Sequence, residues 1–218
     1  GTPRALTDGS LYTLEGCASI SDDDGNLLFY TDGSAVYGSD HSILQNGTGL
    51  FGNSSSTQSA LIIPQPDTPG IYYIFTVDAV TRVGEVHQGV NYSIVDFTAN
   101  PDGIVRDKNT RLLNYAAEKL SAVIKSCDDN SVWLVTLSSA SGTQTTVNTF
   151  YAYQLSSAGL NTTAVRSNAG FNSNDPRGNL KFSPDGTKLA IANASDGLYL
   201  AEFDSESGQV FNTQRLTI

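Results

Sequence analysis

Carboxylates on alternate residues can converge on a calcium ion, and Asp22-Asp23-Asp24-Gly25-Asn26 opens like such a loop. The glutamate that would close it is missing, because the twelfth place counted from Asp22 is Gly33. A hairpin turn needs only Asp-Gly or Gly-Asn, so a turn is the simpler expectation and calcium is the one cofactor left open. Asp32-Gly33-Ser34 reads as another turn. His41 and His87 are the only histidines, which excludes a multi-histidine metal site. Serines and aspartates abound, but no G-x-S-x-G elbow presents a nucleophile. His87 falls in the polar loop Thr81–Gly89 (TRVGEVHQG); such a loop can line a ligand site, while an exposed histidine is the commoner outcome. The 22 acidic residues allow too many pairings for a glycosidase-like carboxylate pair to be chosen. No glycine-rich phosphate loop precedes a helix, so nucleotide chemistry is not expected. The sequence therefore assigns no catalytic, cofactor-binding or metal-ligating residue.

Composition narrows the classes further. The 218 residues hold 12 Lys+Arg against 22 Asp+Glu, a net charge of -10 that repels nucleic acid and anionic membrane surfaces. With 39% hydrophobic and 9% aromatic residues the chain is expected to fold around packed sheets. The longest apolar runs, Ala60–Pro64 and Ile71–Val77, have strand length, far short of the roughly 18–20 residues of a membrane helix. Gly1 and the absence of methionine point to a processed or excised chain, with any export signal removed or never included. Cys17 and Cys127 are either a disulfide or two half-buried strand residues, since their spacing has no signature. Five N-x-[ST] sequons (Asn46, Asn53, Asn91, Asn161, Asn193) matter only in a eukaryotic secretory setting.

The elements that must position these residues are strands. Leu112–Lys119 (LLNYAAEK) is the best helical candidate and is too short, so it reads as a link between strands. Elsewhere a short run, a tight turn and an aromatic or β-branched run recur. Cys17–Ser21 precedes Leu27–Thr31, Ser59–Pro64 precedes Ile71–Asp78, Leu120–Ser126 precedes Val132–Ser138, and Asn179–Ser183 precedes Lys188–Asn193. Further strands are expected at Ala35–Tyr37, His41–Leu44, Tyr92–Thr98, Val147–Leu155, Leu198–Phe203 and Gln209–Leu216. The hairpins recur about every 40 to 60 residues, a period that predicts four-stranded antiparallel blades of a β-propeller rather than a sandwich. Blades are expected over about 14–50, 58–114, 119–167 and 178–216, forming one domain that is either a small four-bladed ring or, the favoured expectation, part of a larger one. Tyr72, Tyr73, Phe75, Phe150, Tyr151 and Tyr153 are assigned mostly to the core between blades, with a minority available for carbohydrate stacking.

Two resemblances sharpen this. Asn179–Asn193 (NLKFSPDGTKLAIAN) resembles the blade motif of TolB-like and WD-repeat-like propellers. There Pro184 fixes the turn, Gly186 accepts a positive φ, and Leu180, Phe182, Leu189 and Ile191 pack between blades. Leu14–Tyr37 (LEGCASISDDDGNLLFYTDGSAVY) resembles the N-terminal propeller of large secreted Bacteroidetes proteins, as do Asn46–Leu50, Ser55–Pro64, Ile71–Asp78, Tyr92–Thr98, Glu118–Val123 and Val132–Val135 in the same order. Those proteins usually end in a type IX secretion (type B, gliding-motility-associated) sorting domain, which this sequence lacks. The resemblance implies a secreted or cell-surface module and no catalytic residue. The expected function is non-enzymatic adhesion or binding of a protein or glycan, with a polysaccharide-acting glycosidase or lyase as the alternative. The expected partners are surface proteins or glycans and other domains of a longer parent chain, with neither nucleic acid nor membrane insertion.

Overall fold

The computed structural model describes residues 7–79, 86–126 and 129–217. Strands and no helix occur among them, so the fold is all-β, and no helix is long and apolar enough to cross a membrane. Cys17 is exposed, while Cys127 lies outside the described residues, and the pairing of the two lies there with it. Residues 81–85 of the Thr81–Gly89 loop also lie outside them.

Four antiparallel meanders follow one another along the chain. Sheet 1 runs β1 (Ala18–Ser21), β2 (Leu27–Thr31), β3 (Ala35–Gly38) and β4 (Ile43–Thr48). Sheet 2 runs β5 (Ala60–Pro64), β6 (Ile71–Val77), β7 (Val90–Asp96) and β8 (Ile104–Leu113). Sheet 3 runs β9 (Ser121–Ile124), β10 (Val132–Ser138) and β11 (Val147–Ser156); its outer position is shared by β12 (Gly159–Leu160) and β13 (Val165–Ser173), both paired to β11. Sheet 4 runs β14 (Gly178–Phe182), β15 (Lys188–Asn193), β16 (Gly197–Asp204) and β17 (Gln209–Arg215). One parallel bridge, Gln45 to Ile104, links the outer strands of sheets 1 and 2.

Side-chain alternation decides the packing, because successive residues of a strand point to opposite faces. On sheet 2, Ile74, Val95 and Val105 join Phe29, Val36 and Leu44 of sheet 1. The opposite face carries Tyr73, Phe75 and Ile94 to Leu134, Tyr151 and Tyr153 of sheet 3. The other face of sheet 3 carries Trp133, Val135 and Phe150 to Leu180, Phe182, Leu189 and Ile191 of sheet 4. Sheets 2 and 3 are therefore covered on both faces, which is why Ile71–Val77 and Val132–Ser138 read as nearly unbroken apolar runs. The four residues of the Asn179–Asn193 motif expected to be buried are buried, and Gly186 has φ +71° at the hairpin tip. Of the six strand aromatics none is exposed: five are buried, and Tyr72 meets Phe29 edge-on at 5.3 Å. The expectation that a minority would be free for stacking is corrected, since the neighbouring sheets use these rings as core.

Hairpin turns are closed by aspartates. Asp32 Oδ1 accepts from the N–H groups of Ser34 and Ala35, both at 2.8 Å, and Asp96 Oδ1 from those of Thr98 and Ala99 at 2.8 and 2.9 Å. Asp129 and Asp185 take the N–H two residues on in the same way. Sheets 1 and 2 meet closely at Gly33, whose φ is +88°. A Cβ there would come within 2.1 Å of Ser59 Oγ, so both backbone and space demand glycine. Leu112 and Leu113 end β8, and Tyr115–Leu120 is a buried link to β9 rather than a helix, as expected.

Candidate functional site

At one end of the array, the segments that lead into the first strands of sheets 2, 3 and 4 converge. Thr57 and Gln58 precede β5, Glu118–Leu120 precede β9, and Asp175–Arg177 precede β14. Gln58 is the junction. Its Oε1 accepts from Leu180 N–H at 2.8 Å and Leu120 N–H at 3.3 Å, and its Nε2 donates to the carbonyls of Leu120 at 3.0 Å and Leu180 at 3.3 Å. One side chain thus holds backbone atoms of two other sheets.

Around it lie two charges that the fold has buried, Glu118 and Lys119, and an ion pair, Asp175 with Arg177, whose arginine is exposed. Glu118 is 2% exposed, and its Oε2 accepts from Thr57 N–H at 2.9 Å and Thr57 Oγ1 at 3.0 Å. Burial raises its pKa above the ordinary carboxylate value; Thr57 pulls the other way and the charge of Glu15 adds to the rise. Lys119 is 1% exposed and donates from Nζ to the carbonyls of Pro176 at 2.9 Å and Arg177 at 2.8 Å. Burial pushes its pKa down to about 8, against the pull of Glu118, Asp175 and Asp196. Arg177 grips Asp175 with two parallel bonds, Nε to Oδ1 at 2.8 Å and Nη2 to Oδ2 at 2.6 Å, and Ser195 donates to the same carboxylate. The Arg177 bonds hold Asp175 well below the usual carboxylate range.

Lys119 makes stability depend on pH with a defined sign. Its folded pKa is depressed, so below about pH 8 the full cost of burying the ammonium is present. Above that the folded protein sheds a proton which the unfolded chain keeps until about pH 10.5, and stability rises with pH. The neutral amine still has one N–H for each carbonyl. Unfolding free energy is expected to increase by about 2 kcal/mol between about pH 7.5 and 9.5 from this group. The window stops there because buried tyrosines, whose pKa values burial raises, oppose the trend from about pH 10. Urea titrations across this range check it, and Lys119→Met should flatten the slope; an unchanged slope in that variant would refute the assignment.

The residues singled out by chemistry in the sequence fall elsewhere. Asp22 closes its own turn: Oδ1 accepts from the N–H groups of Asp24 and Asn26, and Oδ2 from the Asn26 amide. Among the described residues no three His, Cys, Asp or Glu side chains are grouped to hold a metal ion. His41 lies beside sheet 1 with φ +66°; Tyr30 OH and its Nδ1 are 2.8 Å apart, and its Nε2 is 3.6 Å from Asp8. Ser10 Oγ donates to the His41 carbonyl, not to the ring, so this is no Ser-His-Asp triad. His87, expected to be exposed, instead turns inward. Its ring lies 4.5 Å from that of Tyr115, Nδ1 accepts from Gly89 N–H at 2.8 Å, and burial lowers its pKa. The flat ring fills space beside Tyr115 that a polar loop alone could not. Of the sequons, Asn91 and Asn193 are buried, Asn46 and Asn53 donate to Val105 and Asp78, and Asn161 is exposed.

Glu118, Lys119, Asp175 and Arg177 were not singled out for chemistry. Two adjacent charges inside the apolar stretch Tyr115–Val123 are the signal that marks the first pair.

No family model and no curated protein matches the chain. Among solved structures it is similar to the periplasmic gluconolactonase PpgL of Pseudomonas aeruginosa, with a TM-score of 0.49 and 16% identity over 90% of this chain and 52% of that one. The chain thus spans about half the length of that structure.

Proposed function

We propose that the chain is part of a β-propeller from a secreted or cell-surface protein, and that it binds a protein or glycan at the end where Gln58, Glu118 and Arg177 meet, without turnover. The observation that carries this is how the charges there are used. Thr57 takes the Glu118 carboxylate, two carbonyls take the Lys119 ammonium, and Arg177 and Ser195 take the Asp175 carboxylate. A general acid, base or nucleophile must instead be aimed at its substrate. Four successive antiparallel meanders of four or five strands, each packed on the next, support the propeller part of the proposal. The resemblance of Leu14–Tyr37 and the segments after it supports the surface location.

A polysaccharide-acting enzyme is the second reading, favoured by one observation. The environments of Glu118 and Asp175 push their pKa values apart, up for the first and down for the second, as for an acid and its charged partner. A glycan array run beside a hydrolysis assay on the same glycans separates the two. Binding without product is the expected result. Turnover that survives purification and is lost in Glu118→Gln would overturn it.

A further inference from the structure

Beside this end, β13, the link that follows it and the turn between β15 and β16 border an open cleft of about 400 Å³ lined by Asn172, Asn174, Asp175, Pro176, Ser195 and Asp196. The hydrogen bonds already made there leave a defined remainder. Asn148 donates to Asn172 Oδ1 at 3.3 Å, and Thr146 donates to Asn174 Oδ1 at 2.8 Å. Both amide oxygens are thereby engaged, and both NH₂ groups are left pointing their donors away from those bonds. Ser173 Oγ holds Asp196 through Oδ2, which leaves Oδ1 as an acceptor. Asp175 is spent on Arg177 and Ser195.

Asn193 lies close to Ser195 in sequence but is not one of the residues that line the cleft. Asn193 is buried, and its Nδ2 has no hydrogen-bond partner. It sits on the face of β15 that carries Leu189 and Ile191, the face turned to sheet 3, two residues before Ser195.

We propose that this cleft binds a neutral saccharide through neighbouring ring hydroxyls. A hydroxyl both donates and accepts, so one hydroxyl can take an Asn172 or Asn174 N–H and give its own proton to Asp196 Oδ1. Pro176 offers an apolar surface to the C–H face of the ring. An anion is disfavoured because no cationic side chain lines the cleft. Calcium is disfavoured because one free carboxylate falls far short of the roughly 6–8 oxygens it takes. A volume of about 400 Å³ lies near the lower end of ligand pockets and fits one or two sugar rings. The inference rests on the binding reading above and names its ligand class.

The test uses the whole chain, labelled with nitrogen-15 and titrated with D-galactose, D-mannose and cellobiose, with calcium chloride and sodium phosphate as controls. At least one saccharide is expected to shift the Asn172 and Asn174 side-chain amide signals saturably. Asn172→Ala and Asp196→Asn should each weaken that binding at least about tenfold. Asn172 is exposed, so its variant should keep the wild-type unfolding temperature and remain informative if Asp196→Asn disturbs folding. The proposal is overturned if none of the three sugars shifts these amides, if binding survives Asn172→Ala, or if calcium or phosphate shifts them at lower concentration. Saccharide binding that maps to another face removes the cleft and leaves the binding module standing. Binding at the cleft accompanied by hydrolysis keeps the cleft and removes the reading without turnover.

Discussion

Replacing Gln58 by Met is expected to lower the unfolding free energy by about 2 to 4 kcal/mol, more than a semi-exposed glutamine usually costs. Methionine keeps the length of the side chain and nearly fills its space, so the loss isolates the hydrogen bonds. Four backbone groups lose their partner at once: N–H and C=O of Leu120, and N–H and C=O of Leu180. A buried polar group left unpaired costs about 1–3 kcal/mol, and water reaching the rim recovers part of the sum. Gln58→Glu provides the internal control: protonated, it accepts as before and offers one O–H to the two carbonyls; ionised, it offers none. Its loss should fall between that of the Met variant and zero at a pH where the carboxyl is protonated, and should grow once it ionises next to two carbonyls. Urea denaturation measures both. A Met variant within about 0.5 kcal/mol of wild type would show that the junction does not hold the sheets together.

Trp133→Ala is expected to cost about 3 to 5 kcal/mol, the range for emptying a large aromatic from a core. The ring is buried between sheets 3 and 4, with Phe203 edge-on at 6.4 Å, and its Nε1 donates to the Ser205 carbonyl at 2.6 Å. Gly208, at φ +75°, leaves room for it: a Cβ there would stand 2.7 Å from the ring. The turn between β16 and β17 is thus shaped around the indole and cannot collapse into the space it leaves. Trp133→Phe should lose less, keeping most of the packing and giving up the N–H bond. Thermal unfolding followed by calorimetry reads both, and equal losses in the two variants would assign the effect to the hydrogen bond rather than to packing.

Much of the strand order was legible because turn chemistry and alternation agree. Leu27–Thr31, Val132–Ser138 and Lys188–Asn193 stand where the sequence places them, each beside an Asp/Gly turn. Strands β8 and β13 were not recognised. Their sequences, IVRDKNTRLL and VRSNAGFNS, form the outer strands of their meanders, where ladder pairing runs along one side for most of the strand and apolar alternation fades. Asp107 and Asn109 at positive φ also break the register of β8 against β7. The cluster at the convergent end was harder still. Thr57, Glu118 and Arg177 are separated by some 60 residues each, and only the packing of three sheets brings them together. The chemistry of Glu118 and its neighbour Lys119 is ordinary for surface residues until burial changes it, and burial is a property of the fold. His87 was misplaced for the same reason: a histidine in a polar loop carries no mark of the tyrosine it will lie against.

The aspartates at the hairpin turns give the acidic composition another meaning. Asp22, Asp32, Asp96, Asp129 and Asp185 spend carboxylate oxygens on the N–H groups of the residues that follow them. Arg106 balances one of these charges directly, 2.8 Å from Asp96. A share of the -10 net charge is therefore a by-product of reversing the chain direction many times with short connections. A meander protein that turns its corners on aspartate accumulates negative charge in proportion to its number of hairpins, whatever it binds. Its isoelectric point records how often the chain folds back more faithfully than it records the partner.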